Sequence, residues 1–78
     1  MSGIDFAFFR NNLKVLRSVH GLTSRELSIK AELKQMKRIA DLEEGRGKPS
    51  LDELHSICSV LEVKIDDILN KELKITYQ

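Results

Sequence analysis

Gly21-Leu22-Thr23-Ser24-Arg25-Glu26-Leu27 and Lys48-Pro49-Ser50-Leu51-Asp52-Glu53-Leu54 are the two stretches that decide the fold. Thr23 and Glu26 stand at capping-box spacing. The threonine hydroxyl accepts from the Glu26 backbone N–H, and the Glu26 carboxylate accepts from that of Thr23. Leu22 and Leu27 flank the box as a hydrophobic staple. Gly21, just upstream, is free to take the left-handed conformation that closes a preceding helix. Ser50 and Glu53 repeat the box in the second stretch. Two helix starts are therefore marked, near residues 24 and 51, and the remaining elements are spaced from them.

Upstream, Phe6, Phe9, Leu13 and Leu16 share one face of a first helix capped by Asp5 and ending near His20-Gly21. A short second helix covers 24–31. Met36, Ile39, Leu42 and Glu43 then share one side of a third helix at 35–43, with Lys34, Lys37, Arg38 and Asp41 opposite and Gly45 closing it. The fourth helix, from residue 51, carries Leu51, Leu54, Ile57, Cys58 and Leu61 on one stripe, and a fifth at 65–70 carries Ile65, Ile68 and Leu69. Leu73, Ile75 and Tyr77 alternate with polar residues, the period of an extended strand. The reading is all-α: five helices around one core, a single domain over 1–78 with its core in 5–70 and a tail at 71–78, where a short strand is expected.

Composition narrows the function. With 78 residues and 5% aromatics there is too little chain to wall a deep pocket or an aromatic binding platform. No apolar run approaches the ~20 residues of a membrane span, and no signal-peptide pattern opens the chain. There is no Ser/His/Asp set and no glycine-rich phosphate loop leading into Lys-Ser/Thr, so an enzyme is not expected. Gly45-Arg46-Gly47 follows a helix and reads as a turn. Cys58, His20 and His55 cannot close a zinc site, so neither metal nor cofactor is expected. Cys58 among Leu54, Ile57 and Leu61 reads as a small core hydrophobe, His20 as a helix-end residue, and His55 as the edge of the fourth helix's stripe.

Net charge is +1, but it is unevenly spread: residues 10–48 hold ten basic and five acidic side chains, residues 49–78 three and six. One basic end suits a polyanion, although small helical domains reach such imbalance by chance. Two short helices joined by a tight turn, the second carrying cations on its outer side, describe a helix-turn-helix. A helix about 10–12 Å across fits the B-DNA major groove. The competing reading is the solvated face of an ordinary bundle helix.

From Leu13 to Leu69, about three-quarters of the chain, the sequence resembles the lambda-repressor-like helix-turn-helix family, the XRE/Cro-type repressors. The matching pieces are Leu16-Arg17, Gly21-Leu22-Thr23 with Glu26-Leu27, Ile39, and Leu42-Glu43-Glu44-Gly45. They continue with Lys48 through Leu54, Leu61-Glu62-Val63 and Asp66-Asp67-Ile68-Leu69. Ser24 stands where the family usually has Gln, and Glu32 where the turn usually has Gly. The segment from Leu27 to Ile39 is one residue longer than usual, which shifts the start of the third helix.

The resemblance implies a DNA-binding transcriptional regulator, a repressor acting as a homodimer on a pseudo-palindromic operator in double-stranded DNA. The implied setting is the cytoplasm of a prokaryotic or phage-type system. Ser24 matches a phosphate- or base-contacting position. Gln35, Met36, Lys37, Arg38 and Asp41 fall in the base-reading segment, with Lys37 and Arg38 expected on its outward side. Arg46 and Lys48 match the loop along the sugar-phosphate backbone. Arg17 and Glu43 match a structural ion pair between the first and third helices. The alternative is an antitoxin of helix-turn-helix type, or an interaction module, binding a protein partner. Phe8, Val15 and Val19 form a second apolar stripe on the first helix, covered by the tail or by a second subunit; three residues are a small interface, which favours the tail.

Overall fold

The computed structural model describes residues 6–73. Five helices follow in order: α1 (Ala7–Val19), α2 (Ser24–Lys30), α3 (Arg38–Glu43), α4 (Leu51–Leu61) and α5 (Ile65–Asn70). Both capping boxes form. Thr23 Oγ1 accepts from the Glu26 N–H at 3.0 Å while Glu26 Oε1 accepts from that of Thr23 at 2.8 Å. Ser50 and Glu53 do the same at 3.1 and 2.9 Å. No helix among the described residues is long and apolar enough to cross a membrane.

Four of the helices end alike, on a residue in the left-handed conformation followed by a 6→1 backbone bond. Gly21 and Gly45 close α1 and α3 at φ 67° and 82°, while Glu32 and Glu62 close α2 and α4 at φ 56° and 57°. Leu22, Leu33, Arg46 and Val63 supply the N–H groups that reach back to Arg17, Ser28, Asp41 and Cys58. At Glu32 and Glu62 the Cβ crowds the carbonyl, a cost of roughly 1–2 kcal/mol that glycine avoids. Glu32→Gly, at an exposed side chain, is expected to stabilise the fold by about 0.5–1 kcal/mol after allowing for the greater freedom of glycine in the unfolded chain. Denaturant melts at constant m-value check it.

The core joins Phe9 and Leu13 of α1 to Leu27, Ile39, Leu42, Ile57, Leu61 and Ile68, each no more than 2% exposed. Phe6 meets Phe9 edge-to-face, ring centroids 6.0 Å apart. Cys58 is 4% exposed, as a core hydrophobe should be, and burial pushes its thiol up to about 11.

Some expectations are corrected. The third helix begins at Arg38 rather than 35; Leu33 to Lys37 contains no Ser, Thr, Asp or Asn to cap a start, and Lys37 makes no side-chain cap bond. Met36 therefore sits outside the apolar side assigned to it, 53% exposed, and Leu51, at the first position of α4, is 65% exposed. His20 is the C-cap of α1, its Nε2 3.0 Å from the Leu61 carbonyl oxygen. Asp5 as a cap, and the strand expected beyond Leu73, lie outside the described residues. Of the second stripe, Phe8 and Val19 are 45% and 58% exposed while Val15 is half-buried.

Candidate nucleic-acid interface

α2 and α3 form one unit through a serine. Ser28 Oγ donates to the Ser24 carbonyl at 3.0 Å and accepts from the Ile39 N–H at 3.2 Å, so one buried hydroxyl fastens the second helix to the start of the third. An orphan N–H in the first turn of α3 thereby gains a partner that its own N-cap does not supply.

Two arginine–glutamate forks hold α3, one at each end. At its last residue, Glu43 Oε2 and Oε1 accept from Arg17 Nε and Nη2 of α1 at 2.7 and 3.0 Å, and Arg17 Nη1 donates to the Leu22 carbonyl at 3.0 Å. The Glu43 side chain is only 6% exposed. Its hydrogen bond, then its charge, raise the Arg17 pKa against the opposing effect of burial. At the first residue of α3, Arg38 Nε and Nη2 donate to Glu53 Oε2 and Oε1 at 2.8 and 3.0 Å, and Nη2 also donates to the Lys48 carbonyl at 3.0 Å. Glu53 thus closes the α4 capping box and anchors α3 at once.

The Arg38 hydrogen bond, foremost, holds the Glu53 carboxyl below its usual 4.5. A depressed folded pKa contributes stability that is full above the unfolded value and lost as pH falls through the folded one. The Arg38–Glu53 fork therefore holds at neutral pH and releases only in acid below the ordinary glutamate range.

The other candidate residues fall into groups. Gln35, Met36 and Lys37 are contiguous and exposed on the turn that leads into α3. Arg38, expected on the outward side with Lys37, is instead half-buried in its fork. Asp41 is half-buried and faces Arg46 at 3.6 Å, while Arg46, 71% exposed, also meets Glu44 at 2.9 Å. Lys48 is exposed, its ammonium without an ion pair among the described residues. Ser24, half-buried, stands on the other helix of the unit as the first residue of α2. Sequence reasoning missed Glu53 and Ser28. The capping box located Glu53 but carried no sign of a second partner 15 residues away.

The assembled surface is a short, doubly clamped helix with an exposed lead-in, followed by a loop carrying cations. A family model for the Cro/C1-type HTH (helix-turn-helix) DNA-binding domain matches residues 12–73. No curated protein matches the chain. The family match spans most of the chain and all five helices lie within or overlap it, so the chain belongs to the Cro/C1-type helix-turn-helix DNA-binding domains.

Proposed function

We propose that this protein is a sequence-specific transcriptional regulator that binds double-stranded DNA as a homodimer on a pseudo-palindromic operator and represses by occupying it. The observation that carries the reading is the clamping of α3 at both ends, which presents Gln35, Met36 and Lys37 from a fixed support. In this arrangement Gln35 and Lys37 address base edges and Met36 contacts a thymine methyl. Ser24, Arg46 and Lys48 contact phosphates, which set register and add affinity without reading sequence. Asp41 orients Arg46. In this reading a second copy, rather than the tail, covers the exposed Phe8 and Val19 of α1.

Duplexes selected from a random-sequence library test the function directly. Electrophoretic shift should retain selected duplexes over random ones with a steep fall in affinity as salt rises, and sedimentation should show two chains per duplex. Absence of any selected sequence would overturn specific binding, and a single chain per duplex would overturn the dimer.

The forks redistribute the roles of the two neighbouring cations. Lys37→Ala should leave the melting temperature unchanged and shrink the selected-to-random ratio by about 1–3 kcal/mol, the range of one good base contact. Arg38→Ala and Glu53→Gln should resemble each other, both lowering the melting temperature by several degrees, as loss of about 1 kcal/mol does in a domain this small. Calorimetry beside the shift assay separates the two patterns. An Arg38→Ala protein that melts like the parent but loses the ratio would return Arg38 to base reading.

A further inference from the structure

The loop between α3 and α4 has a guanidinium lying against each of its glycines. A Cβ on Gly45 would stand 3.5, 3.7 and 3.9 Å from Cδ, Nε and Cζ of Arg10, and one on Gly47 would stand 3.4 Å from Nη1 of Arg38. Both glycines have positive φ, 82° and 104°. A Cβ at either position would make ordinary van der Waals contact with these arginines, so it is the positive φ that favours glycine, and α1 and α3 each lay a cation beside the loop.

The two guanidiniums are not equivalent. Arg38 is bound to Glu53, as Arg17 is to Glu43 and Arg46 to Glu44. Arg10 is half-buried and its side chain has no hydrogen bond or ion pair among the described residues. It shares with Lys48 a depression floored by Phe9, Leu42 and Pro49 and edged by the loop glycines. Cations that merely decorate a helix extend into water; this one is half-buried beside Gly45 with its donors unspent. Arg10 also lies outside the matched residues 12–73.

We infer that Arg10 and Lys48 form a phosphate clamp, a site for one backbone phosphodiester of duplex DNA on the α1 side of the Gly45–Pro49 loop. The inference rests on the DNA-binding function proposed above and adds a contact from α1 to it. A guanidinium presents paired N–H donors that match two phosphate oxygens, and the Lys48 ammonium supplies a second charge as a point donor. The apolar floor beneath excludes water from one side of the bound oxygens, which strengthens both bonds.

The test is a salt titration of the full chain on a duplex selected from a random library and on a random duplex, using Arg10→Met, Arg10→Gln and Arg10→Lys. Methionine and glutamine keep a stem over Gly45 and remove the charge. Both are expected to weaken the two duplexes equally and to lower the log–log salt slope by about one per bound chain. Arg10→Lys should keep the slope, and all three should melt like the parent. A parent-like slope in the methionine and glutamine variants overturns the clamp while leaving DNA binding intact, and a lowered melting temperature with that slope assigns Arg10 to packing alone. If the parent itself retains no duplex, the proposed function falls and the clamp with it.

Discussion

Glu43→Leu alone should lower stability by about 3–5 kcal/mol, while Arg17→Met with Glu43→Leu together should cost much less than the sum of the single changes. The reason is desolvation. With leucine at 43 the Arg17 guanidinium, 22% exposed, keeps its position between α1 and α3 but loses both oxygens that it meets at 2.7 and 3.0 Å. With methionine at 17, the 6% exposed Glu43 carboxylate is left without its donors. Breaking one half of a buried pair leaves an uncompensated charge, whereas replacing both by apolar groups of similar volume is often close to neutral. Partial exposure of Arg17 places the Glu43→Leu loss toward the lower end of the range. Arg17→Met also forfeits the bond to the Leu22 carbonyl, so the single losses should differ. A double-mutant cycle from denaturant melts reads the coupling; additive losses would show that the two side chains act independently.

Much of this architecture is written locally. Thr23–Glu26 and Ser50–Glu53 each set a helix start through atoms three residues apart, and the alternation of Leu54, Ile57, Cys58 and Leu61 fixes which face of α4 turns inward. Gly21 and Gly45 mark two of the helix ends, because a positive φ is least costly there. Where the chain uses glutamate for the same conformation, at Glu32 and Glu62, composition gives no mark of the turn. The start of α3 is unmarked for a related reason: one of its first N–H groups, that of Ile39, is served by Ser28, from another helix. A hydrophobic period extended backward from Ile39 runs past Lys37, since periodicity carries no information about where an uncapped helix begins.

The candidate interface divides in the same way. Exposure of Gln35, Met36 and Lys37 follows from their place in a connection, and the charge pattern carries the cations of the Gly45–Lys48 loop. Arg38 next to Lys37 looks equivalent in sequence, and only the meeting of α3 with α4 separates them, by bringing Glu53 to 2.8 Å from Arg38. Pairings between elements depend on how helices pack, which a one-dimensional pattern does not encode. The family resemblance implied the Arg17–Glu43 pairing, which the structure contains; it carried nothing about Arg38 with Glu53.

Asn12 is the clearest case of a residue whose role exists only in three dimensions, and its loss should be the next most damaging. A polar side chain in the middle of α1 would ordinarily face water, yet Asn12 is fully buried. Its Nδ2 donates to the carbonyls of Ile68, at 2.9 Å, and of Lys71, while Oδ1 accepts from the Leu73 N–H at 2.8 Å. One amide thus meets the end of α5 and the chain beyond it, tying both to α1. Asn12→Leu fills the same space with no polar atom and leaves those three backbone groups to find other partners. Each buried polar group left unpaired costs about 1–3 kcal/mol, less where water can enter. Ile68 lies deepest, whereas Lys71 and Leu73 are nearer the surface, so the expected total is about 2–4 kcal/mol. Asn12→Asp gives a sharper signature. Its carboxylate keeps the acceptor for Leu73 but turns a charge toward two carbonyls, so burial raises its folded pKa. A group with a raised folded pKa contributes its stability below the unfolded value and loses it as pH rises through the folded one. The aspartate variant should approach the parent in acid and fall away toward neutral pH, while the leucine variant's deficit stays level. Thermal melts of the three proteins across that range decide it: a deficit independent of pH in Asn12→Asp would mean that this side chain reaches water, and that the end of α5 is held by packing alone.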